Sequence, residues 1–232
     1  MTPRMIRVTI LDDHQAIIDG YIYRLSAVPD FEIAAALHFG EELEEALALH
    51  PTDVLLLDIN VPTSPGNPNP YPILHVIPDL LQKYPALGVL VISMYAERGL
   101  IRAVMEAGAS GYVLKDDQAS IRNLGNILQS VANGGIYFSQ KAHQLLLTQK
   151  TIPNSERLSR RQIEALSLCA AHPDITSAGL AGKMSISNST ARNLLSTAYL
   201  RLGVQNRAAA VARAQQLGLI TPPPPPYLER EP

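Results

Sequence analysis

Cysteine is nearly absent: Cys169 stands alone among 232 residues. A single thiol excludes a disulfide framework and any zinc site built on several cysteines. No apolar run approaches the roughly 18 residues that a membrane span needs. Charge is sparse too, at 17%, and the net charge is only −2. Apolar residues make up 47%, which excludes a disordered chain and is enough for true cores. The opening MTPRMIRVTILDD reaches two aspartates at once and does not read as a secretory signal. A soluble, cytoplasmic protein of one large or two small domains is expected.

The small net charge hides an asymmetry. Residues 1–154 carry −6, residues 155–221 carry +5, and residues 222–232 carry −1. An acidic front with a basic rear suggests two domains with different partners. Only the rear one suits a polyanion.

In the front half, strand-like apolar runs (6–11, 31–36, 53–57, 88–92, 111–114) alternate with helical patterns near 14–27, 40–49, 72–84, 97–107 and 117–132. Val54 to Leu57 and Val89 to Ile92 are apolar at consecutive positions, as in strands covered on both faces. Five strands and five helices in alternation predict an α/β fold, a doubly wound five-stranded parallel sheet. Residues 133–157 read as a connector, with a short helix near 139–150 and a turn at Pro153-Asn154-Ser155. From 158 to 218 the pattern is helical throughout. Ser159 and Gln162 form a capping box, and Gly203 and Gly218 stop the last two helices. A short helix at 176–183 and a longer one at 188–201 have helix-turn-helix spacing, although a generic small helical bundle fits the same pattern. The tail TPPPPPYLEREP is expected to be polyproline II or disordered.

Sites in an open parallel sheet form at the carboxyl ends of its strands. The first strand ends in Asp12-Asp13, the third in Asp58 and the fourth in Ser93, and Lys115 follows the fifth. Carboxylates gathered at one sheet edge repel, and a hard divalent cation such as Mg²⁺ relieves that. Beside a metal and a lysine, one aspartate can attack a phosphoryl group. Solvated strand-end carboxylates without a shared role remain the plainer alternative.

The stretches ILDDH (10–14), LLLDINVP (55–62), VISMY (91–95), GASGYVLKDD (108–117) and GGIYFS (134–139) resemble two-component response regulators. In the rear half LSRRQIEAL (158–166), MSISNSTARNLL (184–195) and LRLGVQNRAAAVARAQQLGLI (200–220) extend the resemblance to the NarL/LuxR type. The resemblance implies a receiver domain at 1–133, a linker at 134–157, an all-α four-helix helix-turn-helix domain at 158–220 and a Pro-rich tail at 221–232. It implies Asp58 as phosphoacceptor and Mg²⁺ (Mn²⁺ as the alternative) held by Asp12, Asp13, Asp58 and the backbone carbonyl of Asn60. Lys115 then contacts the acyl phosphate, Ser93 hydrogen-bonds a phosphoryl oxygen, and Tyr112 is the switch aromatic that turns inward when Ser93 moves. The partners implied are a sensor histidine kinase and double-stranded DNA, with a homodimer on the DNA and no membrane. One departure is the loop 63–72, with Pro65, Pro68, Pro70 and Pro72. It should be stiff and extended. Lying beside Asp58, it bears on kinase docking or phosphoryl lifetime, unless it is a neutral surface insertion.

In the longer rear helix Ala191, Leu195, Ala198 and Leu202 form an apolar stripe. Ser189, Arg192, Asn193, Ser196 and Thr197 lie opposite, a set that suits a major groove. By resemblance Arg192, Asn193 and Ser196 face bases. Lys183 and Thr190 suit phosphate contacts, with Arg207, Arg160 and Arg161 adding to the electrostatic attraction. Leu194 departs from the polar residue common there, so it touches a thymine methyl or simply packs. The Ala-rich last helix is the family's dimerisation element. Two rival functions remain. The first is an aspartate-nucleophile, Mg-dependent phosphatase of the haloacid-dehalogenase type, in which Asn60 stands where a general acid is needed. The second is a receiver-type interaction module that is never phosphorylated.

Overall fold

The computed structural model describes residues 5–147 and 158–223. The turn at Pro153-Asn154-Ser155 and the tail beyond Pro223 lie outside the described residues. Strands β1 (Ile6–Leu11), β2 (Phe31–Leu37) and β3 (Val54–Asp58) are joined by helices α1 (Gln15–Ser26) and α2 (Leu43–Leu49). A short ribbon, β4 (Pro62–Ser64) and β5 (Asn67–Pro70), precedes α3 (Ile73–Lys83). The alternation resumes with β6 (Gly88–Ser93), α4 (Arg98–Glu106), β7 (Gly111–Leu114), α5 (Gln118–Arg122) and α6 (Leu124–Ala132). Then come β8 (Tyr137–Phe138), α7 (Gln140–Leu147) and the rear helices α8 (Arg160–Ala171), α9 (Ser177–Lys183), α10 (Asn188–Leu202) and α11 (Arg207–Gln216).

The main sheet is parallel, in the order β2-β1-β3-β6-β7-β8. It has six strands among the described residues, not the expected five. The extra strand follows Gly134-Gly135, where Tyr137 N donates to Ser110 O at 3.0 Å and Ser139 N to Tyr112 O at 3.0 Å. Two residues carry no readable periodicity; the free edge of β7 makes them a strand.

Pleating sends alternate side chains to opposite faces. Val54 and Leu56 join Ile18, Leu25, Ile127 and Leu128 on one side. Leu55 and Leu57 join Leu43, Ile77 and Val104 on the other. This explains the unbroken apolar runs of β3 and β6. The second layer continues without interruption into Leu166, Leu168, Leu180 and Leu195 of the rear helices.

The proline-rich loop is extended, as expected, but it is paired. Pro62 faces Pro70 and Ser64 faces Asn67 around the Pro65-Gly66 turn. Thr63 Oγ1 donates to Asn69 O at 2.9 Å. Prolines are tolerated because a two-stranded ribbon leaves half of its backbone groups outside the ladder. The ribbon reaches the rear helices, where Asn67 Nδ2 donates to the carbonyl of Ala171 at 3.0 Å.

Ser159 caps α8, accepting from Gln162 N at 3.3 Å while its own amide donates to Gln162 Oε1 at 2.8 Å. Gly203 ends α10 in the left-handed region at φ 66°, which a glycine adopts without the Cβ penalty.

Candidate functional site

β1 is central, and the chain leaves it first towards β2 and then towards β3 on its other side. The crevice above β1 and β3 is therefore the switch point of the sheet. Four strand ends meet there. Lys115 Nζ donates to Asp12 Oδ2 at 2.6 Å and to Asp58 Oδ2 at 2.8 Å. Asp12 and Asp58 are buried, at 1% and 6% exposure. The Asn60 amide donates to Asp58 Oδ1 at 3.3 Å. Burial, with the charge of Asp12, pushes the Asp58 carboxyl above the usual carboxylate range, against the pull of Lys115 and the Asn60 amide. Burial opposes the charge on Lys115, yet the two carboxylates more than offset it and hold its ammonium above the ordinary lysine value. Burial also raises the phenol of Tyr21 on α1, and the charges of Asp12 and Asp58 raise it further.

Asp13 joins the same edge. Its Oδ1 lies 2.8 Å from His14 Nδ1, and the ligand atoms of Asp12, Asp13 and His14 all fall within 4.8 Å of one another. Asp12 and Asp58 face the Lys115 ammonium, and Asp13 lies beside Asp12 at the same edge. That oxygen-rich donor set, short of positive charge, fits a hard divalent cation.

Ser93, fully buried at the end of β6, accepts from Tyr95 N at 3.1 Å through its Oγ. Tyr112 does not stand outside waiting to turn. It is wholly buried, and its hydroxyl donates to the Tyr95 carbonyl at 2.7 Å. Burial pushes its phenol well above the ordinary tyrosine value. Asp12, Asp13, Asp58, Asn60, Ser93, Tyr112 and Lys115 are thus within one pocket and its adjoining loop. Tyr95, which joins Ser93 to Tyr112, was missed; an aromatic two residues past a strand end carries no signal without the fold.

The rear site is built on α10. Ala191, Leu195, Ala198 and Leu202 are buried, and Arg192, Asn193, Ser196 and Thr197 are exposed on the opposite side. Ser187 caps the helix by accepting from Thr190 N at 3.1 Å, and Lys183 is exposed at the end of α9. Ser196 Oγ donates back to the Arg192 carbonyl at 2.8 Å. Two of the expected arginines are engaged elsewhere. Arg207 donates to the Ile175 carbonyl. Arg161 donates to both carboxylate oxygens of Glu164, on the side facing α3.

Residues 8–126 match the model of the response regulator receiver domain. Transcriptional regulatory protein DegU of Brevibacillus brevis is 30% identical, covering 93% of this chain and 95% of its own length. DNA-binding transcriptional activator DevR/DosR of Mycobacterium tuberculosis is 27% identical over 94% of this chain and 98% of its own. These relatives are transcription regulators rather than enzymes. Among solved structures, RcsB from Salmonella enterica serovar Typhimurium, bound to promoter rprA with the phosphomimetic BeF3−, superposes with a TM-score of 0.63. It is 21% identical, covering 90% of this chain and 98% of that one, and the likeness is one of fold. Among the described residues no helix is long and apolar enough to cross a membrane.

Proposed function

Because the chain belongs to the response regulator receiver family, we propose that it is a phosphorylation-switched, DNA-binding transcription regulator of the cytoplasm. Its receiver spans 1–133, its linker 134–157 and its helix-turn-helix domain 158–220, with a Pro-rich tail at 221–232. The observation that carries this reading is the buried bridge of Lys115 to both Asp12 and Asp58. The donor is the phosphohistidine of a sensor histidine kinase. The Asp58 carboxylate attacks phosphorus, the P–N bond breaks, and the imidazole leaves. Lys115 already lies against the attacking carboxylate and balances charge on the acyl phosphate, and Ser93 donates to a phosphoryl oxygen. Asp12, Asp13, Asp58 and the Asn60 carbonyl would hold Mg²⁺, or Mn²⁺, which neutralises phosphoryl oxygens and draws electron density from phosphorus.

The phosphoryl group adds about −1.5 to −2 charge and draws Ser93 and Lys115 inward. α10 enters the major groove, with Arg192, Asn193 and Ser196 at the bases and Lys183 and Thr190 at phosphates. Arg207 supports the neighbouring backbone and adds positive charge. A homodimer through α11 matches paired half-sites. A phosphatase reading is disfavoured, since Asn60 cannot serve as general acid two residues after the nucleophile. A small phosphodonor with Mg²⁺ is expected to add one acid-labile phosphoryl group by intact mass and none to Asp58→Asn. Steady phosphate release by the unsubstituted chain, absent in Asp58→Asn, would revive the phosphatase. No uptake at all would leave a pure interaction module.

A further inference from the structure

The segment Leu217–Pro223 leaves α11 and lies on the loop between β6 and α4. The Tyr95 hydroxyl donates to the Pro223 carbonyl at 3.2 Å. Gly218 sits against Glu97 and Gly99 so closely that a Cβ at Gly99 would stand 2.8 Å from the Gly218 carbonyl oxygen and 3.0 Å from that of Leu217. Leu219, Ile220 and Thr221 are buried, the first two in the apolar layer that also holds Leu100 and Ile101 of α4.

Tyr95 therefore links this segment to the receiver pocket. Its amide donates to Ser93 Oγ, its carbonyl accepts from Tyr112, and its phenol holds the segment. Among the described residues two buried side-chain polar atoms have no hydrogen-bond partner, Arg98 Nε and Thr221 Oγ1. Arg98 lies between the two residues that touch Gly218, and Thr221 lies in the segment itself. Each orphaned group costs stability while the contact holds. A contact that carries such groups separates more readily than a fully satisfied one.

We propose that Leu217–Pro223 is a strap whose docking surface is the stretch from Ser93 at the end of β6 to Gly99 in the first turn of α4, and that phosphoryl capture at Asp58 releases it. This rests on Asp58 being the phosphoacceptor. Ser93 turns its one O–H to the phosphoryl oxygen and moves towards it. Tyr95 follows through its amide while its carbonyl stays tied to Tyr112. The attachment that yields is the phenol bond to Pro223. Because the strap starts at the end of α11, its departure frees that end of α11 for a second copy of the chain.

The test uses the full chain carrying Thr221→Cys, whose thiol is buried while the strap is docked; buried Cys169 gives the background rate of maleimide labelling. Gly99→Ala wedges the contact from the receiver side without harm to α4, since alanine is the better helix former. Labelling at position 221 should rise at least about tenfold with Gly99→Ala, as expected for a locally opened segment. It should rise similarly with phosphodonor and Mg²⁺, but not when Asp58→Asn is also present. Unchanged labelling in Gly99→Ala, with native circular dichroism, overturns the strap. Unchanged labelling in chains carrying the phosphoryl group by mass overturns the coupling. A chain that takes up no phosphoryl group instead overturns the phosphoacceptor reading, and the Gly99→Ala arm still judges the strap.

Discussion

His75 Nδ1 on α3 lies 2.7 Å from Glu164 Oε1 on α8, tying the receiver to the helical unit across 89 residues of chain. Glu164 also accepts two bonds from Arg161 at 3.0 Å, and Asp79 stands 4.0 Å from the other nitrogen of His75. Burial opposes the charge on Glu164, but the bonds from His75 and Arg161 win and hold its carboxyl below the usual range. A carboxyl depressed in the folded state stabilises the fold above its unfolded pKa and loses that contribution as pH falls through the folded value.

The tie is therefore expected at neutral pH and lost in acid. Glu164→Gln should weaken the contact between the units by about 1.5 kcal/mol, the scale of a hydrogen bond to a charged group. Small-angle scattering of the full chain checks this. The variant should be the more extended at pH 7, and the difference should vanish as the pH drops below the carboxylate range. Equal dimensions at pH 7 would mean that the pair holds nothing together.

Lys115 bridges Asp12 and Asp58 in a buried pocket, donating to both carboxylates. Lys115→Ala leaves the two carboxylates facing each other, and breaking such a buried pair costs about 3–5 kcal/mol. Urea unfolding should show that loss. Mg²⁺ should restore more stability to the variant than to the unsubstituted chain, because it replaces the missing charge. A variant as stable as its parent without metal would show that Lys115 does not balance the pocket.

How much of this was legible in the residues depended on range. Val54 to Leu57 announced a strand covered on both faces because each side chain finds its layer without help from distant sequence. Asp12, Asp58, Ser93 and Lys115 were legible as a group because strand ends in a parallel sheet must share one edge. Tyr137-Phe138 was not, since two residues become a strand only when β7 offers its edge. The pairing of Pro62 with Pro70 was hidden by a residue type that usually argues against ladders. The dual roles of His75, Asn67 and Tyr95 were hidden because each depends on a partner supplied by the other half of the chain.

Leu195 is buried at 3% exposure among Ala191, Ala198 and the helices around α10. Leu195→Ala should cost about 2–5 kcal/mol through lost burial and the cavity left behind. Gly203→Ala should cost about 1–2 kcal/mol by a different route, since it forces a Cβ into the left-handed region at φ 66°. Thermal unfolding monitored on α10 should rank the two in that order. The reverse order would mean that the core around Leu195 closes over the gap.

Arg192 and Asn193 are exposed on α10, opposite its buried stripe, while Arg161 and Arg207 are bonded within the protein. The two kinds of arginine should therefore respond differently to DNA. Arg192→Ala is expected to weaken binding to a specific site by about 1–3 kcal/mol and relax preference at the bases it faces. Lys183→Ala should weaken binding to all sequences alike and flatten the dependence of log K on log salt by about one unit. Arg161→Ala should change neither, because its guanidinium is committed to Glu164. Fluorescence anisotropy across a salt series separates the three. Affinity independent of salt, or equal losses in all three variants, would exclude α10 as the reading helix, because phosphate contacts must release counterions and base contacts must discriminate.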